Sequence, residues 1–156
     1  MRKNTVLILH DIRSHHNVGS IFRTADTAGI EKIYLTGYTP APKDRFDREV
    51  KEISKVALGA EKNVSWEKTS LEKVINFLKK NKFEIIAVEQ SKKSVDYKKI
   101  KPHFPAAFIF GNEVTGLRAN ILSKCDKVAE IPMIGEKESL NVSVAVGIAI
   151  FRILNL

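Results

Sequence analysis

Residues 5–35 read TVLILHDIRSHHNVGSIFRTADTAGIEKIYL, and the order of patterns within them sets the fold class. Thr5 to His10 is a short apolar run of the kind that forms a buried strand. Val18, Ile21, Phe22, Ala25 and Ala28 then recur at helical spacing, which predicts a helix from Asn17 to Gly29. Asn17 is the expected N-cap and Gly29 the expected stop. KIYLTG (32–37) returns to strand. A strand, a helix and a strand in immediate succession form a unit that places its two strands parallel.

The same alternation continues along the chain. A loop rich in proline and charge, YTPAPKDRFD (38–47), leads into a helix over REVKEISKVALGAEK (48–62) with a turn at Gly59. NVSWEKT (63–69) reads as a short strand, and Ser70 to Lys80 as an amphipathic helix carried by Leu71, Val74, Ile75 and Leu78. FEIIAVEQ (83–90), AAFIFGNE (106–113) and KVAEIPM (127–133) are further strands. The last element, SLNVSVAVGIAIFRIL (139–154), is a helix apolar nearly all round, so it is either buried on every side or shared with a partner chain. The expected fold is α/β, a mainly parallel sheet flanked by helices. Such sheets carry their functional loops at the carboxyl ends of the strands. Three loops qualify: HDIRSHHN after the first strand, GNEVTG after AAFIF, and PMIGEKESLN after KVAEI.

Composition bounds the function. The chain has 156 residues, is expected to form one domain over 1–156, and carries a net charge of +8. That excess favours a polyanionic partner, chiefly nucleic acid or acidic lipid, and equally fits a lysine-rich surface that only keeps the protein in solution. The apolar run Val6–Leu9 is too short for a signal peptide, and VSVAVGIAIF (142–151) falls short of the roughly 20 residues a membrane span needs. A single cysteine, Cys125, excludes an intrachain disulfide and fits a reducing compartment. No membrane association is expected, and the default location is cytoplasmic.

Each loop allows a plain reading and a chemical one. His10, His15 and His16 have no partner motif at metal-ligand spacing, so no metal is expected. Asn17, Gly19 and Arg23 either bind a ligand at a helix start, with Gly19 leaving the space, or are an ordinary solvated helix face. Gly111 and Gly116 bracket an acidic turn and either admit a ligand or close a tight connection. Ser139, Asn141 and Ser143 stand where they would cap the last helix or meet a ligand. Lys79, Lys80, Lys82, Lys92, Lys93, Lys98, Lys99 and Lys101 make basic runs without interleaved aromatic stacking partners.

Taken in order, three stretches resemble the SpoU (TrmH-like) family of SPOUT RNA 2′-O-ribose methyltransferases. NVGSIFRTADTAGI (17–30) is similar to its N-x-G-x-x-x-R-x-A motif, FIFGNEVTGL (108–117) to its G-x-E-x-x-G motif, and IPMIGEKESLNVSVAVGIAIF (131–151) to its third motif. ALGAEKNVSWEK (57–68) resembles the connecting region. The resemblance implies a SPOUT fold with a C-terminal trefoil knot and S-adenosyl-L-methionine bound in that knot. It also implies a homodimer with the active site near the subunit interface, and methyl transfer to a ribose 2′-hydroxyl of tRNA or rRNA. The implied catalytic residues are Arg23, Asn17, Glu113 and Ser143. Gly111, Asn112, Ile131, Met133, Ser139, Leu140 and Asn141 are the implied cofactor-binding residues. The three motifs fill the sequence, so a catalytic domain without an appended RNA-binding domain is expected. Base methylation and a non-catalytic RNA-binding role on the same fold are the alternatives.

Overall fold

The computed structural model describes residues 3–156. Seven parallel strands form one sheet in the order β3-β2-β1-β6-β4-β7-β5. The strands are β1 (Thr5–His10), β2 (Lys32–Thr36), β3 (Ser65–Lys68), β4 (Glu84–Val88), β5 (Val95–Asp96), β6 (Ala106–Phe110) and β7 (Lys127–Glu130). The helices are α1 (His15–Thr27), α2 (Lys51–Ala57), α3 (Ala60–Asn63), α4 (Leu71–Lys80), α5 (Ala119–Leu122) and α6 (Val142–Leu154). The two late strands do not add at an edge: β6 enters between β1 and β4, and β7 between β4 and β5.

β6 is buried on both faces, which matches its unbroken run Ala106–Phe110. On one face α1, α2 and α6 cover Leu7, Leu9, Ile33, Phe108 and Phe110. On the other, α4 and α5 cover Val6, Ile8, Ile85, Ala107 and Ile109. Alternate residues of each strand thus feed two separate cores.

Two local expectations change. The N-cap of α1 is Ser14, whose hydroxyl accepts from the Asn17 backbone at 3.1 Å, so the cap lies three residues before Asn17 and the helix begins at His15. Asn17 is a buried first-turn residue, which frees its amide for other contacts. Gly19 does not hold space for a ligand. A Cβ there would lie 2.7 Å from the Ile53 carbonyl oxygen and 2.9 Å from Val56 Cβ, so its hydrogen is what lets α1 and α2 touch. Gly19→Ala must push the two helices apart; the expected loss is about 1–3 kcal/mol, read as a lower midpoint in urea unfolding with an unchanged slope.

The C-terminal helix is also resolved in part. Val142, Val146, Ala149, Ile150, Ile153 and Leu154 are buried. Val144 and Ile148 stay 48% and 37% exposed, leaving an apolar strip on the outer side of α6. No helix among the described residues is long and apolar enough to cross a membrane.

Candidate active site

Parallel strands deliver the three loops to one rim. A hydrogen-bonded line then joins them. The Glu113 carboxylate accepts from the backbone N–H of Arg13 at 3.1 Å and of Ser14 at 3.2 Å, and from Asn17 Nδ2 at 3.2 Å. Asn17 Oδ1 accepts from Asn141 Nδ2 at 3.1 Å. Asn141 Oδ1 in turn accepts from the backbone N–H of Ser143 at 2.9 Å and from the Ser143 hydroxyl. An ionised carboxylate only accepts, so the direction of each amide along the line is fixed. Glu113, Asn17 and Asn141 stand far apart in sequence and become one structural unit here.

Glu113 sits at the start of α1, where free N–H groups and the helix dipole favour negative charge. Burial pushes its carboxyl up. The N–H groups of Arg13, of Glu113 itself and of Ser14, with the Asn17 amide, outweigh burial and hold it below the usual value of 4.5. A folded value below the unfolded one means Glu113 contributes stability above 4.5 that is lost as pH falls through the lower folded value. Urea unfolding of the wild type should therefore weaken on acidification below that point more steeply than unfolding of Glu113→Gln.

Beside this line lies a cleft of about 350 Å³ at the ends of β4, β6 and β7. Val88, Phe110, Ile131, Met133, Leu140 and Val142 supply apolar wall; Glu89, Glu113, Ser139 and Glu138 supply polar wall. Asn112 also lines it, but its amide is saturated within the protein. Its Oδ1 accepts from the Val114 and Thr115 N–H groups, both at 2.8 Å; its Nδ2 donates to the Asp11 carbonyl at 2.9 Å and the Tyr38 hydroxyl at 2.8 Å. Gly111 lies behind the wall: a Cβ there would meet the Gly116 carbonyl carbon and the Leu117 side chain at 2.7 Å. The close approach that Gly111 permits is that of the turn on itself.

Glu89 is a residue that sequence reading passed over. Its carboxylate accepts from the Gln90 and Leu117 N–H groups, both at 2.9 Å, and so pins the end of β4 to the turn after β6. The available signal was its place, an acid at the carboxyl end of a buried parallel strand. Gln90 Nε2 then donates to the Glu138 carbonyl at 2.8 Å, tying the loop before α6 to the same rim.

Arg23 is not brought to this cleft. It lies six residues beyond Asn17 on α1, about 9 Å along the axis and roughly 120° around it. It is exposed and lines a shallow depression with Ser20, Thr24, Thr27, Val56 and Phe151. His15 and His16 are exposed in the first turn of α1. His10 Nδ1 meets Thr36 Oγ1 at 2.9 Å; burial pushes its pKa down, with Arg118 and Lys68 adding to this against the opposing Asp11 carboxylate. No cluster of three or more His, Cys, Asp or Glu able to hold a metal occurs among the described residues.

Comparison with known proteins places this geometry. Residues 4–151 match the SpoU rRNA methylase family. A putative TrmH family tRNA/rRNA methyltransferase of Staphylococcus saprophyticus is 32% identical over 151 residues, 96% of this chain and 58% of that protein. Among solved structures, an rRNA methyltransferase from Sinorhizobium meliloti with AdoMet bound aligns with a TM-score of 0.89 at 28% identity, over 99% of this chain and 57% of that one. A TrmH/SpoU tRNA modifying enzyme of A. aeolicus aligns with a TM-score of 0.83 at 29% identity, over 99% of this chain and 75% of that one. The chain spans 58% of the length of the Staphylococcus saprophyticus relative. With three motifs joined by one hydrogen-bonded line and the family match running over residues 4–151, the protein belongs to the SpoU rRNA methylase family.

Proposed function

We propose that the protein transfers a methyl group from S-adenosyl-L-methionine to a ribose 2′-hydroxyl of tRNA or rRNA, acting as a homodimer in the cytoplasm. The observation that carries this reading is the cleft bounded by the second and third motifs. Its volume of about 350 Å³ lies within the range of small-molecule sites. Its walls suit a ligand that combines a flat base, hydroxyls and a sulfonium cation: Phe110, Ile131, Met133 and Leu140 give apolar surface, and Glu89, Glu113 and Glu138 give negative charge. Ile131, Met133, Ser139 and Leu140 hold the cofactor, with Asn112 and Gly111 shaping the turn beneath it. The cofactor supplies an electrophilic methyl, so the chain's residues need only orient the acceptor and stabilise charge.

Arg23 is the cation for the developing alkoxide. A guanidinium stays protonated at neutral pH, so its role is electrostatic stabilisation and positioning. Glu113, Asn17, Asn141 and Ser143 position the loops through their shared hydrogen bonds. Because Arg23 lies off the cleft of its own chain, a second copy completes the site. The exposed strip of Val144 and Ile148 on α6 supports such pairing. The entry of β7 between β4 and β5 supports the C-terminal threading implied by the family resemblance.

The test uses purified protein, total tRNA and rRNA together with unmodified transcripts of the same RNAs, and isotopically labelled S-adenosyl-L-methionine, followed by nucleoside digestion and mass spectrometry. Label in a 2′-O-methylated ribonucleoside is the expected result. Label on a base, or cofactor binding without transfer to any unmodified RNA, would reject the ribose assignment.

A further inference from the structure

A second cavity, of about 980 Å³, opens at the β7–β5 edge of the sheet, beside α5. α5 has only four residues, and the sheet extends beyond its cover. The floor is apolar, formed by Val95, Ile100, Leu122 and Val128. The rim is cationic: Lys92, Lys93, Lys99, Lys101 and Lys127 line it together. Lys127 is committed to Glu84 at 2.6 Å. Among the described residues the ammonium groups of Lys92, Lys93, Lys99 and Lys101 take no ion-pair partner. The lining acid, Asp126, is occupied in accepting from the Ile85 N–H at 2.7 Å.

Folding therefore gathers lysines from two separate runs, 92–93 and 99–101, around one groove. Four ammonium groups without an ion-pair partner around one groove attract a polyanion, which gains free energy by releasing its own condensed counterions. The chain itself links the groove to the candidate active site, through the segment that follows β4. Glu89 and Gln90 line the cofactor cleft, and the next residues, Ser91, Lys92 and Lys93, line the groove.

We propose that this groove docks the phosphodiester backbone of the RNA substrate as it leaves the methyl-transfer site. The inference rests on the proposed RNA methyltransferase function and adds to it where the polynucleotide lies. Phosphates meet the lysine rim, and sugars and bases lie over the aliphatic floor. With no aromatic platform in the groove, contact there is through charge and is insensitive to base sequence.

The test is filter binding of total tRNA to the full chain over a series of KCl concentrations. In one variant Lys92, Lys93, Lys99 and Lys101 are all changed to Gln. In a control variant of equal charge change, the exposed Lys55, Lys62, Lys73 and Lys80 are changed to Gln. The groove variant is expected to lose at least about tenfold in affinity near 0.1 M salt, and the slope of log K against log salt should fall in magnitude by about 3. The control should stay within about threefold of wild type. Binding of S-adenosyl-L-methionine to the groove variant, followed by calorimetry, should be unchanged, which separates this outcome from loss of the fold. Equal losses in both variants, or wild-type binding by the groove variant, would overturn the proposal. So would polyglutamate competing as well as tRNA, which would reassign the groove to an acidic peptide. Absence of methyl transfer from the wild type would reject the proposed activity without altering this binding comparison.

Discussion

Arg23→Ala is expected to lower methyl transfer at least about 100-fold while leaving S-adenosyl-L-methionine affinity within about threefold. The magnitude is that of removing one preorganised group from a developing oxyanion. The separation of the two effects comes from position: Arg23 is exposed on α1 and does not line the cofactor cleft. Truncating an exposed side chain removes little packing, so the variant should fold normally, and single-turnover kinetics will report chemistry. Arg23→Lys keeps the charge and loses the planar fork, so it should fall between the two. If the cleft is completed by a second copy, an inactive Arg23→Ala chain and an inactive Leu140→Arg chain should rescue each other when mixed. Random pairing makes half the dimers mixed, each with one intact site, so about a quarter of wild-type activity should return. Full activity in Arg23→Ala would remove this residue from the mechanism, and absence of rescue would argue for a site built within one chain.

The second large effect is on the architecture of the site. Glu113→Ala should lower stability by about 1–3 kcal/mol, a shift of roughly 3–10 °C in melting temperature for a chain of this size. The substitution strips an acceptor from the Arg13 and Ser14 N–H groups and from the Asn17 amide at once. Asn17 would then have one end of its amide free, and its bond to Asn141 would no longer be fixed in direction. Cofactor affinity should fall with stability, because Asn141 ends the loop that carries Met133, Ser139 and Leu140. Asn17→Ala interrupts the same line, so the double variant should lose clearly less than the sum of the two single variants. Additive losses would show that Glu113 and Asn17 act independently and that the hydrogen-bonded line is not a unit.

Much of the fold was legible because it rests on local periodicity. β1, α1 and β2 follow from residues 5–35, and the long strands β4 and β6 from short apolar runs bounded by polar turns. The convergence of the three loops also followed, since parallel strands place all their carboxyl ends on one rim. β5 did not, because a strand of two residues carries no periodic signal. Nor did the order of the sheet: nothing local records that β6 pairs with β1 and β4, or that β7 pairs with β4 and β5.

The site divides along the same line. The sequence named Asn17, Glu113 and Asn141 by their motifs, but local rules made Asn17 a helix cap. Ser14 and Asn17 are both competent caps, and the choice is made by Glu113, which arrives 96 residues later in the chain and takes the Asn17 amide. For Gly19 the sequence left open a ligand space or a plain helix face, and the packing of α2 on it decided against the ligand. Arg23 shared a motif with Asn17 yet turned away from it, because six residues of helix amount to one and two-thirds turns. By itself the sequence determined most of the strands and the longer helices, which loops share a rim, and the family, since these depend on neighbours along the chain, whereas β5, α5 and the break between α2 and α3 escaped it. Only the tertiary structure decided what each polar side chain does, because hydrogen bonds and close contacts are made with whatever distant residues the packed core brings within about 3 Å.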